Sequence, residues 1–460
     1  MILGPISLID CGVFLIFLAP QLIWNAGFFF TLFTAIKALP FLLIQLPFDF
    51  ITDRYLTHPS RQLPFTQTAS VFEDFVIRCV RYAFANIPAK VGRVFFSKHV
   101  ALPFIRWRML RHGYIRSPVH HQEYTIGTGG VQTKGTWIMH QPEHPPDFVL
   151  YYAHGGGFLM GSTYFYLEFL MAWHHLLVDA GFKNPAIFAL EYTLVPDQVY
   201  PRQVLEALEG YRHVLEVVED ASKVCVSGDS AGGSLILSML LELGAQAGNQ
   251  ERKGVKINIQ GGLAVSDPPH LPLPLPRMAT LISPWITLMS NLHYSSKSDF
   301  LDKRTLWKYA QEYAGEDMIH QQPASPGNCV DEKLWRAASP ERGYFIIFGE
   351  EEVFAPDVED FLKRQAKIGI QAEGQKFDGG IHAWPVASLF LSSTEDKRLQ
   401  GLRTAVKEIR RRMLEWDLPL EVGGSECLRL NTGNLERATQ GRNKASKSSM
   451  PAALRNLNQR

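Results

Sequence analysis

The hydrophobic pattern divides the chain into three regimes. From Cys11 to Ile36 there are 26 consecutive residues without a charge, rich in Phe, Leu and Ile, more than the ~20 residues a helix needs to cross a bilayer. A membrane-spanning helix over about 11–36 is predicted. A secretory signal is disfavoured, because the preceding residues lack Lys and Arg and carry Asp10, and the apolar run is too long. A second apolar run, Ala38–Phe48, is interrupted by Pro40 and Pro47 and is too short to span, so it reads as interfacial or re-entrant. In the second regime Phe72, Phe75, Val76, Cys79, Val80 and Ala83 recur at helical spacing.

From Asp147 the period alternates between strand and helix. Phe148–Ala153, Pro185–Glu191, the Gly-bounded apolar run that starts at Val224, Met278–Pro284, Tyr344–Gly349 and Ile370–Phe377 read as strands. Tyr164–Ala180, Arg202–Val218, Leu235–Leu243, Asp357–Gly369 and Lys397–Trp416 read as helices. Such alternation implies an α/β fold, a mostly parallel central sheet covered on both faces. The predicted organisation is a membrane anchor (1–49), a basic helical cap region (50–146), an α/β catalytic domain (147–416) and a disordered basic tail (417–460). The stretch from Asn249 to Arg277 holds five prolines between 268 and 276 and reads as a surface loop.

Composition narrows the function classes. Hydrophobic residues make up 46% and charged residues 20%, enough for a large core. A net charge of +1 gives no reason to invoke a nucleic-acid partner. The five scattered Cys form neither a disulfide framework nor a zinc site. Between Asp74 and Glu123 there is no acidic residue but nine Lys or Arg. That region is either a cap resting its basic side on anionic headgroups or a solvated helix face packed on the core. Lys37 and Arg54 follow the apolar run and no Lys or Arg precedes it, which places the catalytic part on the cytosolic side. The chain contains no Asn-x-Ser/Thr sequon, which fits that side without excluding the other.

The candidate chemistry centres on Gly228-Asp229-Ser230-Ala231-Gly232. An apolar strand, a Gly-flanked Ser and an apolar helix make a sharp turn that lifts a hydroxyl clear of the sheet. Taken alone, the pattern also describes an ordinary strand-to-helix turn. A Ser hydroxyl needs a base, a carboxylate to orient that base, and donors for the oxyanion. His154-Gly155-Gly156-Gly157 follows a strand, so the amides of Gly155 and Gly156, with that of Ala231, are the candidate donors. His382, in a Gly-flanked loop after the last strand, is the candidate base. His154 precedes the Ser and reads as structural. The acid is sought beyond Tyr344–Gly349, where Glu350, Glu351 and Glu352 are consecutive and Asp357 follows. Glu352, directly before Val353-Phe354, is preferred and Asp357 is the alternative. The order Ser230, Glu352, His382 is that of α/β-hydrolases.

These motifs resemble the hormone-sensitive-lipase-like branch of the α/β-hydrolases over about residues 147–416. They are His154-Gly155-Gly156-Gly157-Phe158, the Ser230 elbow, Glu191-Tyr192-Thr193-Leu194-Val195-Pro196-Asp197 and Ser283-Pro284-Trp285. Within the branch, an N-terminal anchor with Glu352-Val353-Phe354 at the acid position is most similar to the fungal steryl acetyl hydrolase group. A Glu departs from the branch's usual Asp. The Pro-rich insertion and the tail are not part of the shared pattern.

The resemblance implies a serine esterase, without cofactor or metal, that deacylates a lipophilic sterol- or terpenoid-like ester at a membrane. The expected location is the endoplasmic reticulum, single-pass or monotopic. Phe158, Leu159, Met160 and Trp285 are the expected substrate contacts, with core packing as the competing role for each. Two other functions suit such a chain: a natural-product tailoring hydrolase or cyclase on the same scaffold, and a catalytically silent membrane interaction protein.

Overall fold

In the computed structural model, which describes residues 1–127, 131–251 and 273–415, the strands assemble into one eight-stranded sheet. The chain begins with α1 (Leu8–Ala26), α2 (Phe28–Pro40), α3 (Leu46–Ile51), α4 (Pro64–Thr68), α5 (Val71–Asn86), α6 (Ala89–Phe95) and α7 (Lys98–Arg111). Then come β1 (His120–Ile126), β2 (Thr133–Met139), β3 (Phe148–Ala153), α8 (Thr163–Asp179), β4 (Pro185–Glu191), α9 (Arg202–Val218) and β5 (Val224–Asp229). They are followed by α10 (Ala231–Glu251), β6 (Met278–Ile282), α11 (Lys303–Met318), α12 (Glu332–Ala338) and β7 (Tyr344–Gly349). The remaining elements are α13 (Ala355–Lys367), β8 (Ala372–Phe377), α14 (Trp384–Leu391) and α15 (Glu395–Leu414).

The strand order is β1-β2-β4-β3-β5-β6-β7-β8; the first two pairings are antiparallel and the rest parallel. The central strands are buried on both faces because helices cover both sides, which is why they read as continuous apolar runs. Alternate residues go to opposite layers. Tyr151, Phe188 and Val226 pack on the side of Tyr211, and Tyr152, Ile187 and Cys225 on the side of Trp173 and Leu402. Each such large apolar side chain contributes roughly 1.5–3 kcal/mol on burial.

Three expectations change. The sheet starts at His120, inside the region assigned to the cap, because β1 and β2 form an antiparallel edge. Residues 120–125 of β1 are all exposed, so no apolar alternation marks it. The single span expected over 11–36 is divided at Gly27, whose φ of 97° ends one helix and begins the next. Pro40 and Pro47 do not break the second helix, which continues from Phe28 to Leu56 through wider turns at Phe41–Gln45 and Thr52–Leu56. Both helices are long and apolar enough to cross a membrane. Most of the Pro-rich loop (252–272) and the basic tail (417–460) lie outside the described residues.

Candidate active site

The site lies at the carboxyl ends of β3, β5, β6 and β7, where open α/β sheets offer a crevice. β5 runs straight into α10 through Ser230, a non-glycine residue at φ 52°. Two close approaches force that turn. A Cβ on Gly232 would stand 2.0 Å from the Ala153 carbonyl oxygen, and one on Gly228 would stand 2.6 Å from the carbonyl carbon of Gly232. The Ser230 N–H donates to Ile282 O at 3.0 Å, and Trp285 N–H donates to Ser230 O at 3.0 Å, which pins the elbow to β6. The Ser230 hydroxyl makes no hydrogen bond to His382 or to any other described residue.

The glycine loop is organised from below by Asp229. Its Oδ1 accepts from Tyr152 Oη at 2.6 Å and from Gly155 N–H at 2.8 Å, and its Oδ2 accepts from Tyr166 Oη at 2.7 Å. Burial pushes this carboxyl above the ordinary Asp range, while the Tyr and Gly donors and His154 oppose the shift. Gly155 is therefore corrected as an oxyanion donor: its N–H is committed to a buried carboxylate. The N–H groups of Gly156 and Gly157 have no acceptor among the described residues. Ala231, first in α10, likewise presents a first-turn amide. His154 is structural, as expected; it stacks on Tyr192 at 4.4 Å and its Nδ1 meets Gly155 O at 2.8 Å.

The loops that carry Glu352 and His382 cross at Gly349, where a Cβ would stand 2.3 Å from Gly380 O. Glu352 Oε2 lies 3.9 Å from His382 Nδ1. The same oxygen accepts from Ser283 Oγ at 2.5 Å and from Gly349 N–H at 3.1 Å. Ser283 sits at φ 43°, and its hydroxyl oxygen also accepts the Ala383 N–H at 3.0 Å. Glu352 Oε1 and His382 Nδ1 are both buried without a hydrogen-bond partner. Burial lowers the His382 imidazole to about 3 and pushes Glu352 well up, the latter opposed by the Ser283 and Gly349 donors. The rings of Phe354 and Phe300 flank the imidazole at 5.1 and 5.6 Å.

Asp357, the alternative acid, is occupied elsewhere. It accepts from Thr287 N–H at 3.0 Å, Thr287 Oγ1 at 3.1 Å and Ser290 Oγ at 3.1 Å. A residue without any sequence signal, Asp299, ties the loops together. It accepts main-chain N–H groups from His382, Val353 and Phe300, and burial raises it to about 6 against those bonds. It lies in a segment of no clear periodicity, whereas Ser283 was marked by the Ser-Pro-Trp motif.

The expected substrate contacts separate. Phe158 is wholly buried and stacks on Tyr313 at 3.8 Å. Trp285 is wholly buried, donates Nε1–H to Leu288 O at 3.2 Å and stacks on Phe354. Both pack as core residues, the competing role expected for each. Leu159 lines a cleft of about 590 Å³, and Met160 packs against Gly92 of α6. Among the described residues, no group of three His, Cys, Asp or Glu side chains could ligate a metal ion.

A family model described as an alpha/beta hydrolase fold matches residues 150–386, and one described as steryl acetyl hydrolase matches residues 38–255. An acetyl-hydrolase of Streptomyces hygroscopicus is 26% identical over 275 residues, 56% of this chain and 76% of that protein. A Schizosaccharomyces pombe protein named after steryl acetyl hydrolases is 26% identical over 49% of this chain and 55% of its own length. An esterase of Mycobacterium tuberculosis is 26% identical over 46% of this chain and 61% of its own length. The chain thus spans about half to three quarters of these relatives. The crystal structure of an esterase from the bacterial hormone-sensitive lipase family superposes with a TM-score of 0.53 at 21% identity, covering 75% of this chain and 99% of that one.

Proposed function

Because the chain belongs to the α/β-hydrolase family, we propose that it is a serine carboxylic-ester hydrolase. Its substrate is a lipophilic, sterol- or terpenoid-like acyl ester met at a membrane. The acetyl- and steryl acetyl-hydrolase relatives support the reaction class, and the exposed apolar faces of the N-terminal helices support the membrane setting. The observation that carries the reading is the approach of Glu352 Oε2 to His382 Nδ1 at 3.9 Å, on loops that Ser283 ties to the same end of β6 that holds the Ser230 elbow.

In this reading neutral His382 takes the Ser230 proton as Oγ attacks the ester carbonyl. Glu352, on closing the 3.9 Å gap to Nδ1, accepts its N–H and stabilises the imidazolium. The tetrahedral oxyanion is received by the N–H groups of Gly156, Gly157 and Ala231, each donor worth roughly 3 kcal/mol in comparable sites. Collapse breaks the bond to the alcohol, and His382 returns its proton to the departing oxygen. Water then adds to the acyl-enzyme by the same route, releasing acid and free Ser230. Every proton and electron pair is accounted for by these groups and water.

The test is active-site labelling of the full chain with a fluorophosphonate probe. Wild type is expected to label and Ser230→Ala is not. An unlabelled wild-type chain, or equal labelling of the two, overturns the reading.

A further inference from the structure

The two apolar N-terminal helices are fastened to the rest of the protein along their length. On α1, Asp10 accepts from Trp107 Nε1 and Arg108 Nη1, both at 3.2 Å. Phe14 packs on Phe95 and Phe104 at 4.8 and 5.0 Å, and Leu18 is buried with Val94 and Val100. At the far end the Ala26 carbonyl accepts from Lys90 Nζ at 3.4 Å. The helix from Phe28 to Leu56 is held by Tyr82, which stacks on Phe41 at 4.0 Å and donates to Lys37 O at 3.2 Å. Further along it, Arg78 donates to Asp53 at 2.8 Å. A spanning helix must place its ends on opposite sides of ~30 Å of hydrocarbon. α1, about 28 Å long by its rise, has both ends on the same body.

The opposite face of both helices is bare: Trp24 is 88% and Phe29 83% exposed, and Ile16, Phe33, Leu43 and Ile44 are exposed beside them. Such an apolar surface needs a cover. Residues 1–122 hold twelve Lys or Arg against five Asp or Glu. Lys37, Arg61, Lys90, Arg106 and Arg116 are exposed, with no carboxylate partner among the described residues. A second copy would bring like charges together, whereas an anionic leaflet supplies acyl chains and phosphates at once.

The cleft of about 590 Å³ opens beside this face. Phe84, Ile87, Ala89 and Lys90 line it from the cap, Leu159 and Tyr309 from the catalytic side. Lys90 is the residue that holds the end of α1, and its ammonium also lies 5.6 Å from the Phe30 ring. At the inner wall, a Cβ on Gly157 of the glycine loop would stand 2.7 Å from the Tyr309 ring. Lys90 thus borders both the cleft and the turn between the two apolar helices, and the Tyr309 ring is what stands between the cleft and Gly157 of the glycine loop.

We infer that residues 8–56 lie flat in one anionic leaflet without crossing it, and that this cleft is the port through which a lipophilic ester passes from the leaflet to Ser230. The port rests on the esterase reading; the flat seat does not.

The full chain is mixed with phosphatidylcholine vesicles with and without phosphatidylserine, and flotation, thiol labelling and turnover are read. Flotation is expected to be stronger with phosphatidylserine and lost in the Trp24→Glu, Phe29→Glu double variant. That variant should keep turnover of a water-soluble acetate ester within about twofold while losing roughly tenfold or more on an ester dissolved in the vesicles. Asn25→Cys and Ser60→Cys, read by peptide mass, should both react with an impermeant maleimide added outside.

Labelling of Asn25→Cys only after detergent overturns the flat seat. So does unchanged flotation of the double variant, or a stable dimer that shields Trp24 in lipid-free solution. For the port, Ala89→Trp is expected to raise KM for the vesicle-borne ester by roughly tenfold, and an unchanged KM overturns it. Failure of fluorophosphonate labelling with flotation intact removes the esterase reading and leaves the seat standing.

Discussion

Asp299 Oδ1 accepts the main-chain N–H of His382 at 3.0 Å. Its Oδ2 accepts that of Val353, the neighbour of Glu352, at 2.9 Å, so one buried carboxylate fixes the spacing of the His382 and Glu352 loops. The Asp299 carbonyl in turn accepts from Arg81 Nε of α5 at 2.7 Å, linking the cap to both loops. In Asp299→Asn an amide NH₂ must face one of those N–H donors. A fall in kcat of about 10- to 100-fold with KM little changed is expected, the cost of misplacing a catalytic group by a fraction of an ångström. Steady-state kinetics check this, and an unaltered kcat would remove Asp299 from the positioning of the pair.

Glu352→Gln and Asp357→Asn should separate chemistry from stability. The first removes the carboxylate beside His382 and is expected to cost roughly 10³- to 10⁴-fold in kcat. The second weakens the bonds to Thr287 and Ser290 and should lower stability by about 1–3 kcal/mol with turnover kept. Kinetics and denaturant titration of both variants decide; the reverse outcome would exchange the two roles.

The neutral burial of His382 makes stability depend on pH. Its pKa falls to about 3 in the fold from an ordinary 6.5, so between these values the unfolded chain binds a proton that the folded chain does not. The contribution is fully present above pH 6.5 and is lost as pH falls toward 3, with a slope of up to about 1.4 kcal/mol per pH unit. Chemical denaturation of wild type and His382→Gln across that range should show a slope shallower in the variant by up to about that amount, the remainder coming from other buried imidazoles such as His174 and His293, both lowered to about 4. Equal slopes would contradict the assigned burial.

Asp229→Ala should strip Gly155, Tyr152 and Tyr166 of their shared acceptor. Each unpaired buried donor costs about 1–3 kcal/mol, so a large drop in Tm is expected. The milder Tyr166→Phe should retain the fold and lower kcat by roughly tenfold through a looser glycine loop. Thermal scans and kinetics on the pair test this; full activity in Tyr166→Phe would show that the loop is held by other means.

Local chemistry was legible in the chain wherever one side chain or one period dictates one geometry. β3, β4, β7 and α9 begin and end where their apolar patterns do, and the Gly-flanked Ser230 turn follows from backbone room alone. What the chain order could not express is competition for a shared partner. Whether Gly155 serves a substrate or Asp229, whether Glu352 or Asp357 meets His382, and whether the apolar helices stand free or lie against α5, α6 and α7 depend on distances between residues far apart in sequence. Those distances exist only once the sheet has closed, because hydrogen bonds and burial act through space and a sequence carries no record of who is near whom.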